Sequence, residues 1–228
     1  MTEWAIRPAP VPRQAPRPRL EATGVTFEYT PGLRVLDGWS AAFFAGSMTA
    51  LTGPSGRGKS TLLYLLGLML LPDSGVVLYD GEDVSRVSDG ARARIRANRF
   101  GFVFQDAALD QSRSVLDNVT ETALYRGQAR NVVVARALDL LERFEVDVPP
   151  HRKPGQVSGG QAQRIALCRA LLTDPPVLLA DEPTGNLDPT TSALVVDALR
   201  AHADHGATII VVTHSPDVAD ACDTQIRL

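Results

Sequence analysis

The segment that most constrains the fold is a glycine-rich loop, GPSGRGKST, at residues 53–61. It follows the short apolar run MTAL and precedes the longer apolar run LLYLLGLMLL. Glycines at this spacing, followed by lysine and serine, let backbone N–H groups curl around phosphates, while Lys59 meets their charge and the Ser60 hydroxyl binds Mg²⁺. The order strand, phosphate loop, helix therefore predicts an α/β fold that binds a nucleoside triphosphate.

The predicted phosphate-binding residues lie in this loop and in the first turn of the helix that follows it. They are Gly53, Pro54, Ser55, Gly56, Arg57, Gly58, Lys59, Ser60 and Thr61.

Polar side chains end three further apolar segments that we predict to be strands. FVFQ ends at Gln105, VLLADE at Asp181 and Glu182, and IIVVTH at His214. Ligands of open parallel α/β sheets bind beyond the carboxyl ends of the strands, so these residues and the glycine-rich loop predict one site. Asp181 is then a ligand of Mg²⁺, directly or through water, and Glu182 is the base that activates a water. By itself, a histidine at a strand end is more typical of a structural residue.

A second glycine-containing stretch, SGGQ at residues 158–161, opens an amphipathic helix. A helix N-terminus with paired glycines offers N–H donors and the positive end of the helix dipole to an anion. This stretch carries no lysine, and an ordinary helix cap at Ser158 is the alternative interpretation.

The remaining segments alternate as in an α/β protein. Three β-rich segments, LEATGVTFEY, SAAFFAG and MTALTG, come first, and GVVLYDGEDV has a hairpin pattern with a turn at Asp80-Gly81. Residues from about 107 to 150 are mostly helical in pattern. After the loop PPHRKPGQ come the SGGQ helix, the strand PVLLAD, the helix TTSALVVDALRAHADHG and the strand TIIVVTH.

Composition limits the classes of partner. The chain has 228 residues, with 23 basic and 26 acidic side chains and a net charge of −3, so it lacks the electrostatic signature of a nucleic-acid-binding protein. Its longest apolar run, Leu62 to Leu71, is about half the length of a membrane-spanning helix. The two cysteines, Cys168 and Cys222, have no metal-binding spacing and are typical of a reduced, intracellular chain.

The amino-terminal region has no apolar core of the kind that a signal peptide needs. Proline and arginine recur through residues 1–19, which we predict to be a disordered, solvated tail. A proline-motif ligand and a basic arm that touches a membrane are the alternatives for this tail.

Five motifs occur in one order along the chain: the glycine-rich loop, FVFQ, VSGGQAQR, LLADEPTGNLD and VVTH. Together they resemble the motifs of ATP-binding-cassette (ABC) ATPases, over residues 20–228. The segments DGEDVSRVSD and DEPTGNLD are similar to the lipoprotein-releasing and macrolide-export group of that family. The resemblance implies a P-loop NTPase core with a mixed, mostly parallel sheet, an N-terminal antiparallel β subdomain and a helical subdomain at about 107–172.

The resemblance also implies roles for single residues. Tyr29 matches the aromatic residue that stacks on adenine, and Gln105 matches the glutamine that reaches Mg²⁺ and the attacking water. Asp188 matches a loop that communicates between two ATP sites, and His214 matches the switch histidine at the γ-phosphate. Glu182, His214 and Gln105 are thus the expected catalytic residues.

In this family two ATPase domains pair head to tail, and the signature loop of each caps the ATP held by the other. The residues that match this loop are Ser158, Gly159, Gly160 and Gln161. We therefore expect ATP and Mg²⁺ as cofactors, and a second copy of the chain and a membrane-spanning permease as partners. The location expected from the resemblance is cytoplasmic, on the inner face of the cell membrane.

Two departures from the family pattern concern the signature and the expected permease contact. Val157 stands where leucine is usual, and the segment DAALDQSRSVLDN after Gln105 is more polar than its family counterpart. We expect this segment to face the permease, with Ala107 to Leu109 as apolar contacts and with Asp106, Asp110 and Arg113 as charged ones.

Two functions from different classes remain open on the sequence. The first is an exporter-type or mechanotransmitting ATPase that energises a separate permease. The second is a non-transport ABC ATPase that closes as an ATP-driven clamp on a soluble or nucleic-acid partner. Single-cassette length and net acidity favour the first.

Overall fold

The computed structural model describes residues 17–228, so the predicted tail lies outside the described residues except for residues 17–19. Arg19, the last residue assigned to the tail, is held in the fold. Its guanidinium donates to the carbonyl oxygens of Pro176 (3.2 Å) and Gly206 (2.7 Å), and its backbone N–H donates to that of Phe43 (2.9 Å). Arg19 thus fastens the start of the described chain to residues that lie just before two strands of the core sheet.

The strands of the described part, in chain order, are β1 (Leu20–Thr30), β2 (Leu33–Phe43), β3 (Ser47–Thr52), β4 (Ser74–Tyr79), β5 (Glu82–Asp83), β6 (Phe100–Val103), β7 (Val177–Asp181), β8 (Thr208–Val212) and β9 (Thr224–Arg227). The helices of the same part are α1 (Lys59–Leu66), α2 (Asp89–Arg99), α3 (Val115–Tyr125), α4 (Arg130–Arg143), α5 (Gly159–Leu171), α6 (Pro189–Asp204) and α7 (Pro216–Asp220), with a 3₁₀ turn at Pro154–Gln156.

The core sheet has the order β6-β7-β8-β3-β9, and each of its pairings is parallel. Every residue of β7 and β8 is buried, as expected for strands covered by helices on both faces. The strands β6, β7, β8 and β3 are consecutive neighbours, so their carboxyl ends lie side by side. This arrangement brings together the four strand ends that the sequence singled out.

A second sheet, with the order β2-β1-β4-β5, is antiparallel throughout. Its hairpin between β4 and β5 turns at Asp80 (φ 49°) and Gly81 (φ 85°), as the sequence predicted. The β2 strand begins at Leu33, earlier than the segment SAAFFAG indicated. This sheet packs against α1 through a shared apolar cluster and carries Tyr29 towards the glycine-rich loop.

The helical region expected from the sequence contains α3, α4 and α5. Both α3 and α4 pack against α5, and their apolar side chains join one cluster with those of β7 and β8. Because α5 also packs against β6, it connects the helical region to the core sheet.

The α2 helix was not predicted from the sequence. It begins after Ser88, whose hydroxyl accepts a hydrogen bond from the Ala91 N–H (3.4 Å), and it carries four arginines and no buried residue. Its half-buried face packs on the core through Ile95, and its other apolar residues are alanines. With a single large apolar side chain, the segment lacks the apolar run that marks the other helices.

Gly101 allows the strand that leads to Gln105 to lie close to α5. A Cβ at this position would lie 2.6 Å from the Ala170 carbonyl oxygen and 2.7 Å from Pro175 Cγ.

We expect Gly101→Ala to lower the free energy of unfolding by about 1–3 kcal/mol through overpacking. The matched control is Gly90→Ala in α2, where a Cβ meets nothing within 4 Å, and where we expect stabilisation of up to about 1 kcal/mol. Urea unfolding followed by circular dichroism measures both, and equal effects would contradict this account of the packing.

Candidate functional site

The glycine-rich loop has the backbone geometry that the motif requires. Gly53, Gly56 and Gly58 have φ values of 131°, 78° and 84°, which L-residues rarely adopt. A Cβ on Gly58 would also lie 2.5 Å from Val35 Cγ1, so this glycine lets β2 pack against the loop. The loop ends where α1 begins at Lys59, and the first N–H groups of that helix therefore face the cradle.

Lys59 is the buried cation of the cradle. Its side chain lies inside the loop, where Nζ donates to the carbonyl oxygens of Gly53 and Pro54, both at 2.9 Å. The charge is thus fixed at the centre of the curled backbone, where it can neutralise a phosphate.

The predicted catalytic residues meet the loop in one cleft of about 490 Å³. Its walls come from the antiparallel sheet, the loop and the ends of β6, β7 and β8. The lining residues are Tyr29, Val35, Ser55, Gly56, Gly58, Lys59, Ser60, Thr61, Gln105, Asp181, Glu182, Val212 and His214.

Asp181 and Glu182 are adjacent carboxyl groups at the end of β7. Burial raises the pKa of each of them, and Lys59 and His214 oppose that shift in both cases. The neighbouring Ser60 hydroxyl also favours ionised Asp181, while the His214 backbone N–H, 3.4 Å from Oε2, does so for Glu182. The cleft therefore holds two carboxyl groups in a partly dry environment with a lysine nearby.

The backbone at Glu182 is held in the left-handed region, with φ 49°. Its N–H donates to the Val212 carbonyl (2.9 Å), and its own carbonyl accepts from the Gly185 N–H (3.1 Å). The carboxyl oxygen Oε1 is buried and has no hydrogen-bond partner among residues 17–228. A left-handed glutamate with an unpaired buried oxygen is a conformation typical of functional sites.

His214 lies between the carboxyl group and the loop. Its Nε2 is 3.7 Å from Glu182 Oε1 and 3.5 Å from Ser55 Oγ. Its position allows it to contact a group bound in the loop and the Glu182 carboxyl group together.

Tyr29 forms the outer edge of the cleft. The side chain is 59% exposed, its hydroxyl is 3.1 Å from Thr61 Oγ1, and its ring packs edge-on against Phe27 with centroids 4.9 Å apart. An exposed aromatic face beside a phosphate loop is suited to stacking on a base.

The signature stretch is not part of this cleft. The N-terminus of α5 is capped by Ser158, whose Oγ accepts from the Gln161 N–H (3.2 Å), while Gln161 Oε1 accepts from the Ser158 N–H (2.9 Å). None of the residues 158–161 lines the cleft of its own chain. The ordinary cap that the sequence left as an alternative is thus present. Gly159 is exposed at this helix end, and Gly160 is half-buried against Asn186 and Leu187.

Asp188 also lies outside the cleft. It caps α6, where Oδ1 accepts from the N–H groups of Thr190 (3.0 Å) and Thr191 (3.1 Å) and Oδ2 accepts from the Thr191 hydroxyl (2.6 Å). The Thr191 hydroxyl bond is the main cause of a lowered pKa at Asp188.

Two residues near the site were missed by the sequence analysis. Val35 lies against the loop from β2, and the buried Gln163 of α5 approaches the carbonyl oxygens of Phe104 (3.4 Å) and Glu182 (3.5 Å). A glutamine among the apolar residues of a buried helix is the signal that could have revealed Gln163.

The residues of the cleft fit a hard cation. Ser60 and Asp181 supply neighbouring oxygen atoms, and Mg²⁺ is usually held by one or two protein groups together with phosphates and water. In residues 17–228 there is no cluster of three or more His, Cys, Asp or Glu side chains that could hold a metal ion. Across the same residues, no helix has the length and apolarity needed to cross a membrane.

Comparisons with known sequences agree with this geometry. The sequence model of the ABC transporter family matches residues 36–185. A lipoprotein-releasing system ATP-binding protein, LolD 2 of Caulobacter vibrioides, is 42% identical over 86% of this chain and 86% of its own length. The macrolide export ATP-binding/permease protein MacB of Chlorobaculum tepidum is 42% identical over 92% of this chain, which spans only 32% of that longer protein.

Solved structures show the same fold. The ATP-binding cassette MJ0796, in a dimeric post-hydrolysis state bound to ADP and Pi, matches with a TM-score of 0.87 and 32% identity, over 92% of this chain and 94% of the other. The fold, the phosphate-binding cleft and the sequence relatives agree: the chain belongs to the ABC transporter family, as an ATP-binding and ATP-hydrolysing subunit.

Proposed function

We propose that two copies of this chain close head to tail around two ATP molecules and drive a separate membrane permease, as an export or mechanotransmission ATPase. The observation that carries this proposal is the separation of the signature stretch from the cleft. One chain supplies the loop, Lys59 and the strand-end residues, whereas Ser158 to Gln161 lie elsewhere. A complete ATP site then needs the α5 N-terminus of a second chain.

The roles of the cleft residues follow from their chemistry. The loop N–H groups and Lys59 bind the phosphates, and the Tyr29 ring stacks on the adenine. Glu182 accepts a proton from the attacking water, which Gln105 orients, while His214 contacts the γ-phosphate. Asp188 communicates between the two sites of the dimer.

Ser60, Gln105 and Asp181 are the residues that would hold Mg²⁺. When bound, Mg²⁺ neutralises charge on the β- and γ-phosphates.

The cassette of this proposal comprises residues 20–228, with a helical subdomain at about 107–172. It works on the cytoplasmic side of the membrane and is attached to the inner face through the permease. The relatives named for lipoprotein release and macrolide export support this group of transporters.

The pH dependence of hydrolysis should report on Glu182. A general base works in its ionised form, and burial raises the pKa of this carboxyl group. The hydrolysis rate should therefore fall as the pH is lowered, with a midpoint above about 4.3, the ordinary value for glutamate. In Glu182→Gln we expect a rate at least about 100-fold lower that has lost this pH dependence, because the amide cannot accept the proton.

The matched control for this variant is Glu142→Gln, which changes an exposed carboxyl group on α4. It should keep the wild-type rate and pH profile. A Glu182→Gln protein that hydrolyses ATP at the wild-type rate would contradict the role of Glu182 as base.

Mixing inactive variants tests whether the ATP site is shared between chains. Lys59→Ala removes the cation of one cleft, and Ser158→Glu puts a carboxylate where we propose the γ-phosphate of the partner's ATP. Each variant alone should be inactive. In a mixed dimer, the cleft of the Ser158 variant is capped by the intact signature of the Lys59 variant, so we expect partial recovery of ATP hydrolysis.

The control mixes Lys59→Ala with Glu182→Gln. Lys59 and Glu182 line the same cleft, so every cleft in this mixed dimer carries one defect, and no recovery is expected. Recovery in the control, or none in the test pair when mixed dimers are shown to form, would refute capping between chains.

The expected permease segment stays a prediction, because only part of it is occupied by contacts within the chain. Ala107 is buried, Leu109 packs against the core, and Asp110 pairs with Arg113 (3.1 Å). Asp106 and Ala108 remain exposed, so the segment offers a small, polar surface. We propose that a helix of the permease docks mainly in the neighbouring cleft of about 570 Å³ between α2, β6 and α3.

This docking cleft is mainly apolar. Phe102 and Phe104 stack along its floor with centroids 5.9 Å apart, and Met69 and Tyr125 expose apolar surface at its edge. The Phe104 ring directly precedes Gln105, so a helix seated here would touch the residue next to the ATP site.

Crosslinking tests this contact in membranes that contain the assembled complex. A cysteine at Tyr125 should crosslink to a polytopic membrane protein, identified by mass spectrometry. A cysteine at Leu138, an exposed apolar residue of α4 outside the cleft, should not. Crosslinking to a soluble protein alone would favour the non-transport clamp, and equal crosslinking from both positions would refute the docking cleft.

A further inference from the structure

The turn that carries Gln105 is held by α5. The Ala107 N–H donates to the Phe104 carbonyl (3.0 Å), which makes Gln105 and Asp106 the two central residues of a closed β-turn. Gln163 of α5 approaches the same Phe104 carbonyl at 3.4 Å. The first end of the turn is therefore in contact with the signature helix.

The second end of the turn has an unusual backbone. Ala107 and Ala108 are consecutive L-residues in the left-handed region, with φ values of 60° and 45°. Residues of this type seldom occupy that region, and they persist there only when surrounding contacts hold them.

Arg169 supplies those contacts. This residue of α5 is 8% exposed, and its guanidinium donates through Nη2 to the Ala107 carbonyl and through Nη1 to the Ala108 carbonyl, both at 2.7 Å. Within residues 17–228, Arg169 forms no ion pair. The carboxylates of Glu121 and Asp106 act on this cation through space, but its hydrogen bonds go to backbone carbonyls. A buried guanidinium with such partners holds the geometry of that backbone.

We propose that Arg169 is a positioning residue for ATP hydrolysis. Its planar guanidinium holds the carbonyl groups of Ala107 and Ala108, the two residues with left-handed backbone. This contact fixes the turn and therefore the direction in which the Gln105 side chain points. Because α5 begins at the signature stretch, a movement of that helix end is passed to Gln105 through Arg169. The inference rests on the proposed role of Gln105.

The test compares arginines of the same helix. Arg169→Met keeps the aliphatic bulk and removes the fork, and Arg169→Lys keeps the charge but not the paired geometry. The control is Arg164→Met, because Arg164 Nη1 also donates to two consecutive carbonyls, those of Phe144 (3.0 Å) and Glu145 (2.8 Å), and Glu145 also has positive φ (52°). The control removes the same kind of contact at a site away from Gln105.

We expect Arg169→Met to lower kcat about 10-fold or more with a smaller change in KM, because small displacements of a positioned group cost large factors in rate. Arg169→Lys should recover only part of that loss. Arg164→Met should keep kcat within about 2-fold, measured at temperatures where thermal unfolding shows that all variants are folded.

A double-mutant cycle with Gln105→Ala decides the mechanism. If Arg169 acts through Gln105, Arg169→Met should change kcat by less than about 2-fold in the Gln105→Ala background. Hydrogen exchange gives a measurement that does not depend on turnover. The amides of residues 104–110 should exchange faster in Arg169→Met than in the wild type, and at the wild-type rate in Arg164→Met.

These measurements test the role of Gln105 in hydrolysis separately from the positioning role of Arg169. A Gln105→Ala protein with wild-type kcat would refute the role of Gln105. If Gln105→Ala is impaired but the Arg169→Met effect multiplies with it, or if Arg169→Met keeps wild-type kcat, the positioning role of Arg169 is overturned.

Discussion

The parallel pairing of four neighbouring strands is the constraint on which the site depends. β7 pairs in parallel with β6 and β8, and β8 pairs with β3, so four chain segments leave the sheet at one edge. One parallel register brings Lys59, Gln105, Glu182 and His214 into the same cleft although they are distant in sequence. The helices that cover both faces of β7 and β8 keep these strands dry, and the cleft residues begin where that cover ends.

The electrostatics of the cleft follow from the same placement. Two carboxyl groups at the end of a buried strand lose hydration, which raises their pKa values and opposes their ionised forms. Ser60 offsets part of this cost at Asp181 and His214 at Glu182, and the charge of Lys59 contributes to both. A site that binds phosphates next to a basic carboxylate needs both burial and nearby positive charge. A fully solvated carboxylate is a weaker base, and a fully buried one is protonated.

Sequence patterns predicted the parts of the molecule whose chemistry is local. Glycine spacing revealed the loop, apolar runs revealed the buried strands, and polar residues at their ends indicated the cleft. The α2 helix was not predicted because it has one large apolar residue, Ile95, among four arginines. Gln163 and Arg169 were missed since both act on backbone carbonyls of distant residues, and the pairing of Asp110 with Arg113 depends on a turn that no periodicity encodes.

The α5 helix connects the signature stretch at its N-terminus with the turn that carries Gln105. Its N-terminus lies outside the cleft of its own chain, its middle approaches the carbonyls of Phe104 and Glu182, and its last turns hold the loop after Gln105. Because α3 packs on the same helix and lines the docking cleft, a displacement of α5 reaches both surfaces. In the proposed dimer, a partner's ATP that contacts the signature end would displace α5, and with it the Gln105 turn and the proposed docking cleft. A rigid helix with contacts at both ends can couple these sites without a long chain of small adjustments.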